Sequence, residues 1–75
     1  MGKFAFIHLS IYSQASIGST YVVTNINISP LRMYSWMING QRFYLDTDAN
    51  GARISNLSTL PSNQYFEADL VIPIV

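Results

Sequence analysis

Residues 33–57, MYSWMINGQRFYLDTDANGARISNL, carry two Asn-Gly dipeptides, at Asn39-Gly40 and Asn50-Gly51, each set among alternating apolar and polar residues. Asn-Gly in that setting is a strong local signal for a two-residue type I′ hairpin turn, because both central residues must take positive φ. Such a turn fixes which residues face each other. Across the first, Ile38 faces Gln41, Met37 faces Arg42, Trp36 faces Phe43 and Tyr34 faces Leu45. Across the second, Ala49 faces Ala52, Asp48 faces Arg53 and Thr47 faces Ile54. Strand side chains alternate, so Tyr34, Trp36, Ile38, Phe43, Leu45, Thr47, Ala49, Ala52 and Ile54 fall on one face. Met33, Ser35, Met37, Arg42, Tyr44, Asp46, Asp48, Arg53 and Ser55 fall on the other. Both turns sort the shared strand the same way, and the stretch predicts a three-stranded meander with Trp36 on its buried face.

The same stretch also resembles the start of a calcium loop, since Asp46, Asp48, Asn50 and Gly51 match positions 1, 3, 5 and 6 of that motif. The match then stops. Arg53 stands at position 8, and Leu57 stands at position 12, where a bidentate Glu closes the coordination sphere. Sheet explains every residue, and a looser calcium loop between strands is the alternative those donors leave open.

Outside this stretch no helical period is sustained, and Gly, Asn, Ser and Pro recur between runs of β-branched and aromatic residues. Phe4 to Tyr12 reads as a strand. Tyr21 to Ile28 reads as a second, with Val22, Thr24, Ile26 and Ile28 on one side and Tyr21, Val23, Asn25 and Asn27 on the other. A loop containing Pro61 follows the meander, and Tyr65 to Val75 reads as the last strand. The chain is therefore expected to be a single all-β domain over residues 1–75, a small antiparallel β-sandwich or partly open barrel of about six strands.

Composition narrows the function. At 75 residues the core is small, and no cysteine is present to reinforce it. Charged residues make up 11% of the chain, apolar residues 49%, and four cations (Lys3, Arg32, Arg42, Arg53) balance four anions (Asp46, Asp48, Glu67, Asp69). So little charge makes a poor footprint for nucleic acid and suits a surface covered by neighbouring subunits. No apolar run is long enough to span a membrane as a helix, and the segment after Lys3 lacks a signal-peptide cleavage pattern, so secretion is not expected. Asn27-Ile28-Ser29 and Asn56-Leu57-Ser58 match the glycosylation sequon, which without a secretion signal reads as chance.

Catalytic readings find little to rest on. His8 is the lone histidine and has Ser10 nearby, but no nucleophile motif accompanies it. Asp46 and Asp48 point the same way along one strand instead of facing each other across a cleft, as glycosidase carboxylates do. The glycines are scattered, so no phosphate loop exists. Five tyrosines, four phenylalanines and Trp36 could form a stacking platform for sugars or bases, although aromatics on strands are more often core. No enzyme, no cofactor and no metal site is expected.

The two terminal strands are apolar on both faces, a pattern that wants cover on both sides. Phe4, Phe6, Ile7, Leu70, Val71, Ile72, Ile74 and Val75 are accordingly the expected interface, with strand addition and face burial as its basis. The run Trp36-Met37-Ile38-Asn39-Gly40-Gln41-Arg42-Phe43-Tyr44-Leu45-Asp46-Thr47-Asp48-Ala49-Asn50-Gly51-Ala52-Arg53-Ile54 resembles the central strands of small tailed-phage baseplate plug-type proteins. Those have a Trp-bearing strand, a tight turn, an aromatic-Leu-Asp strand, a second Asn/Asp-Gly turn and an aliphatic strand. The resemblance covers about a quarter of the chain, and the first thirty residues do not share the pattern. It implies a non-enzymatic bacteriophage virion component, held by other copies of itself or by neighbouring virion proteins, and located in the virion or the host cytoplasm. The alternative is a small phage-type inhibitor or adaptor that binds a host protein through the face of Arg42, Asp46, Asp48 and Arg53.

Overall fold

A computed structural model describes residues 2–75. Its elements are β1 (Lys3–Ser13), β2 (Thr20–Ile26), β3 (Tyr34–Ile38), β4 (Gln41–Asp48), β5 (Gly51–Asn56) and β6 (Gln64–Ile74), with no helix among the described residues. Strands β2-β5-β4-β3 form one antiparallel sheet, and β1 and β6 form a two-stranded ribbon that packs against it. The all-β sandwich expected from the sequence is thus present, open at its edges and not closed into a barrel.

The β3–β4 hairpin has the register that its Asn-Gly turn requires, with Tyr34 opposite Leu45, Trp36 opposite Phe43 and Ile38 opposite Gln41. Asn39 and Gly40 take φ of 48° and 76°, the left-handed values of a type I′ turn. The second hairpin differs from expectation. Asp48 opposes Gly51, Thr47 opposes Ala52 and Asp46 opposes Arg53, a shift of two residues. The cause is Asp48, whose Oδ1 accepts the Asn50 N–H at 2.8 Å in an Asx turn. Ala49 and Asn50 thereby become the turn, and Gly51 moves into the strand. A shift of two keeps the parity of side chains, so Leu45 and Ile54 still share the inner face with Phe43 and Ala52. Ala49 leaves that face for the turn, and Thr47 is exposed.

Even alternation along the second strand is likewise not what forms. Tyr21 opposes Ser55, Val23 opposes Ile54 and Ile26 opposes Ala52, with irregularities between each pair of positions. Bulges place two residues against one, so positions of opposite parity turn to the same side. Val23 and Ile26 both pack on the core, and Asn25 takes a φ of 58°, which Asn tolerates better than most residues.

The core lies between the layers. Ile38, Phe43, Leu45, Ala52 and Ile54 come from the sheet, and Leu9, Phe66, Leu70 and Ile72 from the ribbon. The rings of Phe43 and Phe66 join the layers with centroids 5.8 Å apart. Each such side chain contributes about 1.5–3 kcal/mol on burial. Leu60 closes the end of the sandwich, pinned because Ile17 and Leu60 exchange backbone hydrogen bonds of 3.0 and 2.8 Å. Trp36, expected to be buried, is half-buried and stacks near Tyr34.

Ser13, Ser55 and Asn56 are the buried polar side chains among the described residues, and Asn56 does most to join the elements. Asn56 is fully buried; its Nδ2 donates to the carbonyls of Gly18 and Ser58, each at 3.0 Å, and its Oδ1 accepts the Thr20 N–H at 3.3 Å. It ties the start of β2 and the loop after β5 to the end of β5. The sequon Asn56-Leu57-Ser58 is therefore a structural joint.

Candidate functional site

Ribbon residues alternate between core and solvent. The inward set includes Leu9, Phe66, Leu70 and Ile72; the outward set is paired in rows, Phe4 with Pro73, Phe6 with Val71, His8 with Asp69, Ser10 with Glu67 and Tyr12 with Tyr65. This outer face has three zones. One end is apolar, with Phe4 53%, Phe6 78% and Val71 52% exposed. The middle carries the histidine and two carboxylates. The far end carries the tyrosine pair, with ring centroids 4.5 Å apart.

Of the interface residues expected from sequence, Phe4, Phe6, Val71 and Val75 are exposed and Ile7 and Ile74 are half-buried. Leu70 and Ile72 are core residues, because alternation turns them inward, and they offer nothing to a partner. The structure adds Pro73, Tyr12 and Tyr65 to the outward set; only the β1–β6 register, a long-range pairing, reveals them.

The two ribbon edges differ. Along β6, Pro30 bridges to Ile74, the Pro73 carbonyl accepts the Leu31 N–H, Val75 N–H donates to Ser29 O, and Asn39 Nδ2 donates to Tyr65 O at 2.9 Å. Along β1 no other strand than β6 comes within 8 Å, Cα to Cα. An edge of this length whose one Lys or Arg is Lys3 is a ready template for strand addition.

In the middle zone His8 is held from both sides. Its Nδ1 lies 2.6 Å from Asp69 Oδ1 and its Nε2 3.1 Å from Glu67 Oε1. Donating through both nitrogens requires the imidazolium, so Asp69 first and Glu67 second raise the His8 pKa above its ordinary 6.5. Neither nitrogen is free to activate a nucleophile. The favourable pairing is present in full below pH 6.5 and is lost as pH rises through the raised pKa of the folded state. NMR titration of the His8 Cε1 proton should give a higher midpoint in the native protein than in urea. Asp69→Asn should lower that midpoint more than Glu67→Gln does, and equal midpoints in native and unfolded chains would refute the pairing.

The four-stranded sheet carries the other charged cluster. Arg53 donates from Nε and Nη2 to the two oxygens of Asp46, at 2.8 and 3.3 Å, and its Nη1 lies 3.5 Å from Asp48 Oδ2. The cation between these carboxylates is thus an arginine of the same hairpin, in the place a calcium loop would keep for its ion. Arg42 lies apart from this cluster, with Nη1 3.5 Å from Ser35 Oγ. Among the described residues no three His, Cys, Asp or Glu side chains converge to hold a metal ion. Glu67 and Asp69 bind opposite nitrogens of His8 and so do not share a focus.

Comparison of the chain with protein-family models, with curated proteins and with solved structures finds no match.

Proposed function

We propose that this chain is a non-enzymatic assembly subunit, a small virion component that packs against copies of itself and against neighbouring subunits through the outer face and free edge of the β1–β6 ribbon. The observation that carries the reading is the block formed by Phe4, Phe6, Val71 and Pro73: apolar side chains on adjacent strands, turned away from the core, beside an unpaired edge. Isolated exposed apolar residues are ordinary, but a contiguous block next to an open strand edge marks an interaction surface. A surface with only 11% charged residues in the chain supports the same reading, as does the likeness of Trp36 to Ile54 to the central strands of baseplate plug-type proteins. Its partners would be protein subunits, met in the virion or the host cytoplasm, with affinity from apolar burial and main-chain pairing rather than charge.

Native mass spectrometry of the intact chain tests this. The unaltered protein should form oligomers at about 10 μM, near the affinity of a modest interface. The double variant Phe6→Ser, Val71→Ser should be monomeric with an unchanged melting temperature, since both side chains point outward. A wild-type monomer, or a double variant that assembles as before, would count against the proposal.

A further inference from the structure

The outer face of the four-stranded sheet holds a feature unrelated to the ribbon. In one row across three strands, Tyr21 opposes Ser55 and Ser55 opposes Tyr44. Strands lie about 4.8 Å apart, so the two tyrosine backbones stand roughly 9–10 Å apart with the small serine between them. The result is a cleft of about 340 Å³ that has Ser55 as its floor and is also bounded by Asp46, Thr20 and Leu57. The depression is open to solvent, and its volume lies at the small end of the range of ligand sites.

Ser55 supplies a second observation. It is only 8% exposed, it lines the cleft, and its hydroxyl has no hydrogen-bond partner among the described residues. No buried side-chain polar atom is left unpaired among the described residues, so this hydroxyl is reached by solvent and, lining the cleft, can exchange water for a ligand. The walls are also braced in advance. Arg53 lies over the Tyr21 ring, 4.0 Å from its centroid, and the same guanidinium grips both oxygens of Asp46. A tyrosine and a carboxylate are thereby fixed before any ligand arrives, which lowers the ordering cost of binding.

The chemistry of the lining selects the ligand. Asp46 keeps lone pairs beyond those used by Arg53, and the Ser55 and Thr20 hydroxyls accept as well as donate. Among the described residues no unpaired cation lines the cleft, and Asp46 with Asp48 disfavours phosphates and other anions. What fits is an uncharged ring with a carbon face for the tyrosines and several O–H donors at its rim. We infer that this cleft binds a single pyranose, with Tyr21 and Tyr44 against its C–H surface and with Ser55 and Asp46 holding its hydroxyls. Trp36, on the opposite side of the sheet, has no part in it.

The test is an amide proton–nitrogen NMR titration of the full chain with D-glucose, D-galactose and N-acetyl-D-glucosamine, and with adenosine as a flat ligand poor in hydroxyls. At least one sugar should give saturable shifts centred on Thr20, Tyr21, Tyr44, Asp46 and Ser55, with a Kd on the order of 1 mM, as few contacts allow. Ser55→Val removes the hydroxyl and fills the floor with a residue suited to a strand; it should weaken binding at least about tenfold. Tyr21→Ala should weaken it about five- to tenfold. Both variants are to be read only with native amide dispersion, and Asp46→Asn, which keeps the side-chain shape, provides a third reading by weakening binding. No saturable shift with any sugar up to about 50 mM, shifts centred elsewhere, preference for adenosine, or unaltered binding by the folded variants would overturn the inference. The outcome is independent of ribbon assembly, since the two surfaces belong to different layers.

Discussion

Gly51→Ala should cost about 3 kcal/mol of folding stability, whereas Gly40→Ala, in the other Asn-Gly pair, should cost only about 1–2 kcal/mol. Gly40 has a φ of 76° with open space around its missing Cβ, so only the left-handed backbone penalty applies. Gly51 has a φ of 125°, and a Cβ there would stand 2.5 Å from the backbone oxygen of Ile26. That obstacle is main chain and cannot rotate aside. The substitution would push the end of β2 off β5, where Ile26 pairs with Ala52. For a domain of this size total stability is about 4–11 kcal/mol, so the loss is a large share of it. Denaturant unfolding of the two variants measures the contrast directly. Equal losses at both glycines would show that the close approach of β2 to Gly51 is not a feature of the folded state.

Asn56→Ala should cost a similar amount, about 3 kcal/mol, by a different route. Truncation leaves the carbonyls of Gly18 and Ser58 and the Thr20 N–H, all met in part-buried bonds, without the partner they now have. A fully buried orphaned group costs about 1–3 kcal/mol and a part-buried one less, so the three together account for about 3 kcal/mol. Asn56→Asp is the sharper variant, because it keeps the shape and the acceptor for Thr20 while turning the donor to two carbonyls into a second acceptor. It should lower the melting temperature by at least about 12 °C, taking 4 °C per kcal/mol. A loss under about 1 kcal/mol for Asn56→Ala would mean that the loops around it are not tied through this amide.

Much of the meander was legible because its information is local. Asn39-Gly40 fixes a turn, and alternation from Tyr34 to Leu45 fixes the faces. The second hairpin shows where local reading stops: Asn50-Gly51 and the Asp48 Asx turn compete for the same bend, and Asp48 prevails. Faces survived only because the resulting shift is even. The bulges of β2 were not legible, since they answer to the neighbouring strand and to Asn25. The role of Asn56 is hidden in its sequon for the same reason, as its partners come from residues 17–20 and 58. The outward ribbon block was half legible. Apolar character at Phe4, Phe6 and Val71 is in the sequence, but that Leu70 and Ile72 belong to the core follows from the sandwich. The Tyr21, Ser55, Tyr44 row needed the β2–β5 pairing, which no turn signal announces.

The pairing of β1 with β6 also bears on how the molecule comes into being. Its nearest paired residues, Ser13 and Gln64, are 51 positions apart, so no part of the ribbon can zip up from a tight turn. At about 5–20 residues per second on a ribosome, β1 waits roughly 3–10 s for its mate, while the β3–β4–β5 unit can close as soon as it emerges. Closing so wide a loop is slow, and until then Phe4, Phe6, Ile7 and Leu9 are open to any passing strand. The chain is therefore in greatest danger in the few seconds between synthesis of β1 and of β6, when crowding by sister nascent chains would favour tangles over completed sandwiches.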